Sequence, residues 1–458
     1  MKRLLAIAPA LLLAACSLPR HPPPASTLHV PAHWRTDIGP GAPVERDWWQ
    51  AFHDPALTAL VRQALARNGD VRTAQARLRE YRARIAVARS ADAPQVTAGF
   101  NPGRARTIGP FGTPIDVTSI TGGVQASYEI DLSGRSAAQA EAARFDYASQ
   151  QAAADATALS VAANAAAGYL ALRGLDAQLE LARATLVTRQ RSLELARREF
   201  EVGYSSRLEL SQAESELRAT SAVLPQLERS IALQEDALAV LAGANPGPVA
   251  RGLPLAELAA PAIAPSLPSE LMRRRPDVAA AENAVAAADA GLAAARDQLL
   301  PSVDLAASFA PYANSTGQLF SSPYWLWSVG GSVLAPIFNG GRLRAQTDIA
   351  ASARDRAVIA YESAVRSAFA ETENALAGIR FLKEQLAEGE ARRVAAAEAL
   401  RIARNRHANG YASYLEELDA QRTLFGIENA QLQLRASLLG AHVDLYRALG
   451  GGWAPAAR

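Results

Sequence analysis

Between Arg135 and Val202 the chain has no proline, and Leu172, Leu175, Leu179, Ala182, Leu186, Leu193, Ala196 and Phe200 recur at steps of three and four. That spacing keeps apolar side chains on one stripe of a helix, the a/d seam of a coiled coil. The proline-free stretch from Arg342 to Asn409 repeats it more loosely through Ile379, Leu382, Leu386, Leu400 and Ala403. Each stretch predicts one uninterrupted helix of roughly 100 Å, at about 1.5 Å per residue. Shorter helices are predicted over 70–90 and 206–242 in the first half, and over 277–297 and 413–449 in the second. Each pair is long enough to lie along one long helix. Pro225 predicts a kink in the 206–242 helix only.

A period of two replaces this pattern in four segments, about 94–106, 122–132, 301–311 and 325–338, which predict two β-hairpins. Each segment is close to the ~9 to 11 residues of a tilted membrane strand. Ala93 to Gly103 and Gly122 to Tyr128 carry no charge, and Phe100, Tyr128, Phe309, Tyr312, Tyr324, Trp325 and Trp327 sit in or beside the strands. An interfacial aromatic girdle has this composition, and so does a small soluble β-domain with an aromatic core. The strands by themselves leave both open. In lipid, four strands cannot close a barrel, because open edges are not tolerated there and the smallest membrane barrels have about eight strands. Membrane strands here would require a barrel shared among chains, with eight, twelve or sixteen strands for two, three or four copies.

The two halves are copies. At an offset of 207 positions, Asp70 matches Asp277, Pro94 matches Pro301, Arg135 matches Arg342, and Gly203-Tyr204 matches Gly410-Tyr411. Ser206, Leu208 and Glu209 likewise match Ser413, Leu415 and Glu416. A unit this long is a duplicated half-molecule, not a solenoid repeat. The expected organisation is a signal segment 1–15, a Pro-rich segment 16–46, a first repeat 47–243, a linker 244–268, a second repeat 269–450 and a tail 451–458. In each copy the hairpin and the Gly-Tyr turn are expected at opposite ends. The linker's six prolines fit a connection with room for a small surface domain.

The N-terminus adds an address. Met1-Lys2-Arg3 is basic, Leu4 to Leu13 is apolar, and Leu13-Ala14-Ala15-Cys16 ends in the only cysteine of the chain. This resembles a bacterial lipoprotein signal, in which the cysteine becomes the acylated first residue; the apolar run is too short for the ~20 residues of a spanning helix. Ser17 rather than Asp follows, which in such lipoproteins fits release to the outer membrane. The prolines from Pro19 to Pro43 then predict an extended tether, not core. His21, His29, His33 and His53 lie in or near it without the spacing of a ligand set. A net charge of +2 offers no basic stripe for nucleic acid.

Several motifs together resemble the TolC-like outer membrane factor family, in its lipidated branch. They are the Cys16 lipobox; Leu267-Pro268-Ser269 with Arg274-Arg275-Pro276-Asp277-Val278 and Ala281-Glu282; Pro301-Ser302-Val303; Pro336-Ile337-Phe338-Asn339-Gly340-Gly341-Arg342; and Asn409-Gly410-Tyr411 through Leu415 to Asp419-Ala420-Gln421-Arg422. The resemblance spans essentially the whole mature chain. It implies an α+β membrane protein, a homotrimer with a 12-stranded β-barrel in the outer membrane and a long α-helical periplasmic tunnel. Its partners would be a periplasmic adaptor, an inner-membrane efflux pump of the RND type and outer membrane lipid.

The resemblance also implies a periplasmic gate at Leu415 and Asp419, where threefold symmetry turns single residues into rings. Arg422, one helical turn from Asp419, is its candidate restraining partner. The turns Gly203, Tyr204, Ser205, Ser206 and Gly410, Tyr411, Ala412, Ser413 would meet the adaptor. From spacing alone, Asp419 and Arg422 read as a solvated pair, Leu415 as coiled-coil core, and Gly203 and Gly410 as helix C-cap glycines. Tyr204 and Tyr411 fit either adaptor contact or cap packing. Glu416 and Glu417 add two acids that face either the pore or the adaptor.

Two rival classes are weaker. A periplasmic adaptor or scaffold lipoprotein would carry a β-rich half between paired helices, whereas strands occur here only as two hairpins at duplicated positions. An enzyme is disfavoured because no nucleophile elbow, P-loop, dinucleotide fingerprint, HExxH or Cys-x-x-Cys occurs, and no motif calls for a cofactor.

Overall fold

The computed structural model describes residues 21–454. Cys16 and the signal segment lie outside them. The chain begins with a 3-10 turn, Trp48–Phe52, followed by α1 (Pro55–Arg67) and α2 (Gly69–Arg89). The hairpin β1 (Gln95–Ile108) and β2 (Pro114–Ile130) leads into α3 (Arg135–Glu201) and α4 (Arg207–Leu241). The second half follows with α5 (Pro268–Arg274), α6 (Pro276–Asp297), β3 (Ser302–Ala313), α7 (Thr316–Ser321), β4 (Tyr324–Leu334), α8 (Arg342–Ala408) and α9 (Tyr414–Ala448). The two long helices each hold 67 residues. α4 passes through Pro225 without a break in the helix.

Two compact units divide the chain: residues 21–27 with Arg77–Gln151 and Ala280–Glu362, and Leu28–Ala76 with Ala152–Ala279 and the chain from Ser363 onward. The first unit holds one antiparallel sheet in the order β1-β2-β3-β4, so β1 and β4 each keep one edge without a strand partner. Directly paired residues share a face of a sheet. One face carries Val96, Ala98 and Phe100, Val124 and Ala126, Val303, Leu305 and Phe309, and Trp325, Trp327 and Val329. The other carries Gln95, Thr97 and Asn101, Thr121, Gln125 and Ser127, Asp304 and Ser308, and Ser328 and Ser332, with Tyr312, Tyr324, Leu326 and Leu334 among them. The apolar face is exposed at Val96, Phe100, Phe309, Trp325, Trp327 and Val329. A soluble β-domain would have buried it.

Two strand ends differ from expectation. β2 begins at Pro114 rather than near 122, because Ile115, Val117 and Ile120 continue a β-branched strand and Gly112, at φ +75°, allows a tight turn over 109–113. β4 stops at Leu334 rather than 338, because Pro336 cannot continue a ladder.

In the second unit the expected seam is the buried face: Leu172 and Ala182 are fully buried, and Ile379 repeats this in α8. Small residues set the spacing. A side chain at Gly168 would collide with Leu238 of α4, and one at Gly174 with Ala436 of α9. The duplication also persists in detail. Asn68 donates to the Leu241 carbonyl at the end of α4 (2.9 Å), and Arg275, at the equivalent position, donates to the Ala448 carbonyl at the end of α9 (3.0 Å). Arg275 is buried and is matched by Asp277 (2.7 Å) and Glu371 (2.8 Å).

The described part of the Pro-rich segment, from His21 onward, is docked and is not a free tether. In the first unit, buried Arg354 donates to the carbonyls of His21 (2.7 Å) and Pro22 (2.8 Å), and Thr27 bonds Glu362. In the second, Trp34 packs edge-on against Phe369 and donates to the Ser266 carbonyl (2.7 Å). An extended chain has no internal hydrogen bonds, so its carbonyls are free to satisfy such donors. The 244–268 linker likewise forms no domain of its own. Leu255, Leu258 and Ile263 are buried, and Asp54, Tyr169 and Arg173 hold the backbone of Gly252 and Leu253.

Candidate functional site

The two Gly-Tyr turns join α3 to α4 and α8 to α9. Gly203 (φ +80°) and Gly410 (φ +72°) adopt the left-handed conformation that closes a helix. Tyr204 N–H donates to the Glu199 carbonyl and Tyr411 N–H to the Arg406 carbonyl, both at 2.8 Å, the Schellman pattern. Because the backbone performs the capping, the rings are released: Tyr204 and Tyr411 are 89% and 79% exposed. Cap packing is therefore not their role.

The following helix starts differ between copies. Ser206 and Glu209 form a reciprocal capping box, and Glu209 also accepts from the Ser205 hydroxyl (2.7 Å). These bonds, the Ser205 hydroxyl first and the Ser206 N–H next, hold the Glu209 carboxyl below its usual range. Ser413 makes no side-chain cap bond, and Glu416 pairs instead with Arg406 (3.3 Å).

Beyond the turns lies a buried polar network. Tyr414 and Leu418 of α9 pack with Ala196 of α3 and Ala213 of α4. Glu417 is 8% exposed; it receives Gln421 Nε2 (2.7 Å) and Arg404 Nε (3.2 Å), with His407 Nδ1 at 2.9 Å. It faces neither pore nor adaptor but the interior of the helical tip. Arg189 of α3 is 3% exposed and bonds Gln421, and its Nη2 lies 3.5 Å from Glu216 of α4. Glu216 also accepts from Arg422 of α9, with Nε at 2.8 Å. Burial pulls the Arg189 guanidinium below its ordinary value against the opposing pull of Glu216, while the hydrogen bond that Arg422 donates to Glu216 raises Arg422.

This arrangement corrects one expectation and supplies two residues that the sequence reading missed. Arg422 is tied to Glu216, not to Asp419, which has no ion-pair partner among the described residues. Arg189 stands 3.5 Å from Glu216 and leaves acceptor capacity on that carboxylate, which Arg422 fills. Arg189 occupies the one seam position of α3, between Leu186 and Leu193, that breaks the apolar spacing, and Glu216 follows Leu210 and Ala213 on the buried face of α4. A charge inside an apolar stripe was the available signal. Leu415 and Asp419 lie on the opposite, exposed side of α9 from Tyr414, Leu418 and Gln421. Leu415 is 52% exposed and so is not core of the single chain.

The profile of a family described as "Outer membrane efflux protein" matches residues 60–244 and, at the same 207-residue offset, 267–451. The chain is 35% identical over 466 residues to the probable efflux pump outer membrane protein TtgC of Pseudomonas putida, covering 99% of this chain and 96% of the relative. It is 36% identical over 472 residues to the pyoverdine export outer membrane protein OpmQ of Pseudomonas aeruginosa, covering 99% and 97%. Among solved structures it resembles a membrane protein from Pseudomonas aeruginosa (TM-score 0.85, 30% identity, covering 95% of this chain and 100% of that one). The open state of the MtrE outer membrane channel of Neisseria gonorrhoeae gives a TM-score of 0.84 at 30% identity, covering 95% and 98%.

Proposed function

This chain belongs to the outer membrane efflux protein family and is an outer membrane channel of an efflux system, and from that premise we propose that three copies join into one passive conduit from periplasm to exterior. The observation that carries this is the two-faced open sheet, apolar on one side and mostly polar on the other, with the outer edges of β1 and β4 left without a strand partner among the described residues. Lipid tolerates strands only in a closed ring. Three four-stranded sheets joined edge to edge give twelve strands, and the polar faces would line the lumen. Cys16 would carry the acyl anchor that holds each chain at the membrane.

At the periplasmic end, Leu415 and Asp419 present their exposed face to the threefold axis. Three leucines exclude water, and three carboxylates repel anions while favouring cations. The Arg422–Glu216–Arg189 network holds α9 against α4 and α3, so opening requires these contacts to repack. Gly203 to Ser206 and Gly410 to Ser413, with Tyr204 and Tyr411 projecting, offer the surface for a periplasmic adaptor, which would couple the channel to an inner-membrane pump of the RND type.

Planar-bilayer conductance of the detergent-extracted protein tests the reading. A small, cation-preferring conductance is expected, with the preference weakened in Asp419→Asn. A confirmed trimer in which wild type and variant are both silent, even with adaptor added, would sink it.

A further inference from the structure

Along the apolar face of the sheet, the charged residues among those described are Arg104, Arg106 and Asp116. All three lie in the outer part of the first hairpin. The last β2–β3 pair is Ile120 with Ala313, so residues 103–108 and 114–119 extend as a two-stranded ribbon past the four-stranded region. Arg104 and Arg106 alternate with Ala105 and therefore project on the same side as Phe100. Phe100 pairs with Gly122 and Trp325 with Pro311, and the register on either side, Thr121 with Tyr312 and Val124 with Phe309, aligns Gly122 with Pro311 in one cross-strand row. An aromatic row of this kind marks the membrane interface. Arg104 lies four residues beyond Phe100, about 13 Å along the strand and about 10 Å in height at a tilt near 40°.

We propose that Arg104 and Arg106 form a binding site for the phosphate-bearing head groups of outer-leaflet lipid. The proposal rests on the reading of this sheet as a membrane wall with its hairpin turns on the external side. Two guanidinium groups just outside an aromatic row, on the lipid-facing side, meet the level where phosphates lie, and guanidinium is the side-chain group best matched to phosphate. Their side chains are 76% and 75% exposed. Asp116 stands near both, 3.7 Å from Arg104 and 4.0 Å from Arg106, too far to occupy their donors by direct hydrogen bonds. The cluster therefore keeps a net positive charge and guanidinium donors that face solvent. With one such pair per chain, a trimer would hold a ring of lipid head groups and fix the height of the barrel in the bilayer.

The test is native mass spectrometry of the full-length, detergent-extracted protein supplied with bisphosphorylated lipid A or with its dephosphorylated form. Wild type is expected to retain the phosphorylated lipid preferentially. Arg104→Gln with Arg106→Gln should weaken that retention roughly thirtyfold, the scale of losing two basic residues at an anionic surface. Asp116→Asn, which removes the competing carboxylate, should strengthen it. Equal retention by wild type and double variant, equal retention of the dephosphorylated lipid, or weaker retention by Asp116→Asn would each overturn the proposal. Conductance of the same preparations tests the channel separately: conducting protein without phosphate-dependent retention discards the lipid site and leaves the channel intact.

Discussion

At Arg189 an ionised side chain stands where a coiled-coil seam calls for leucine. A buried cation needs partners, and here Glu216 and Gln421 supply them from two other helices while the buried Nε has none among the described residues. Such a residue fixes which helices meet and in what register more than it adds stability. Arg189→Leu is expected to destabilise the helical tip by about 3 kcal/mol, because it strands Glu216 with only the half-exposed Arg422. Arg189→Leu combined with Glu216→Leu should recover much of that loss, since Arg422 can turn to water. The denaturant midpoint of far-UV circular dichroism in detergent measures both, and an unperturbed single variant would show that the network is dispensable. A buried Tyr414 hydroxyl without a partner among the described residues lies in the same region, so the tip is packed but not fully satisfied.

The helices and turns record a duplication whose copies have since specialised. Gly134 and Gly341, Gly203 and Gly410, and Gly243 and Gly450 all keep positive φ at the same offset, so the backbone plan of both halves is one plan. The helix starts after the Gly-Tyr turns have diverged: Ser206 caps α4 through Glu209, whereas the equivalent Glu416 has left Ser413 for Arg406. Ser206→Ala is therefore expected to cost about 1 kcal/mol, and Ser413→Ala no more than a few tenths. Comparing the thermal midpoints of the two variants checks this; equal losses would mean that the cap is not what holds either turn. The spacing of apolar residues located each of these helices to within a residue or two, because helix seams and caps are local. The extension of β2 to Pro114 was missed because Pro114 and Asp116, both poor strand formers, stand among the β-branched residues of its outer part.

For the whole molecule, the sheet with two free edges demands company, and native mass spectrometry in detergent is expected to give a trimer; a folded monomer in lipid would refute a shared barrel. The sequence by itself determined the duplication, the two long helices, the four strands, the glycine turns and the family resemblance, because these rest on periodicity, punctuation and motifs a few residues long. Leu415 and Asp419 stand as gate candidates only through the resemblance, and Arg422 through its place one helical turn from Asp419. Tertiary structure alone decided that Arg422 serves Glu216, that Glu417 turns inward, that the Pro-rich segment is docked, and that one face of the sheet is apolar across all four strands. All but the turn of Glu417, whose partners Arg404, His407 and Gln421 lie within 13 residues, depend on residues far apart in the chain. Burial and strand register bring them together, and no local pattern encodes which distant partner a charge or a strand will find.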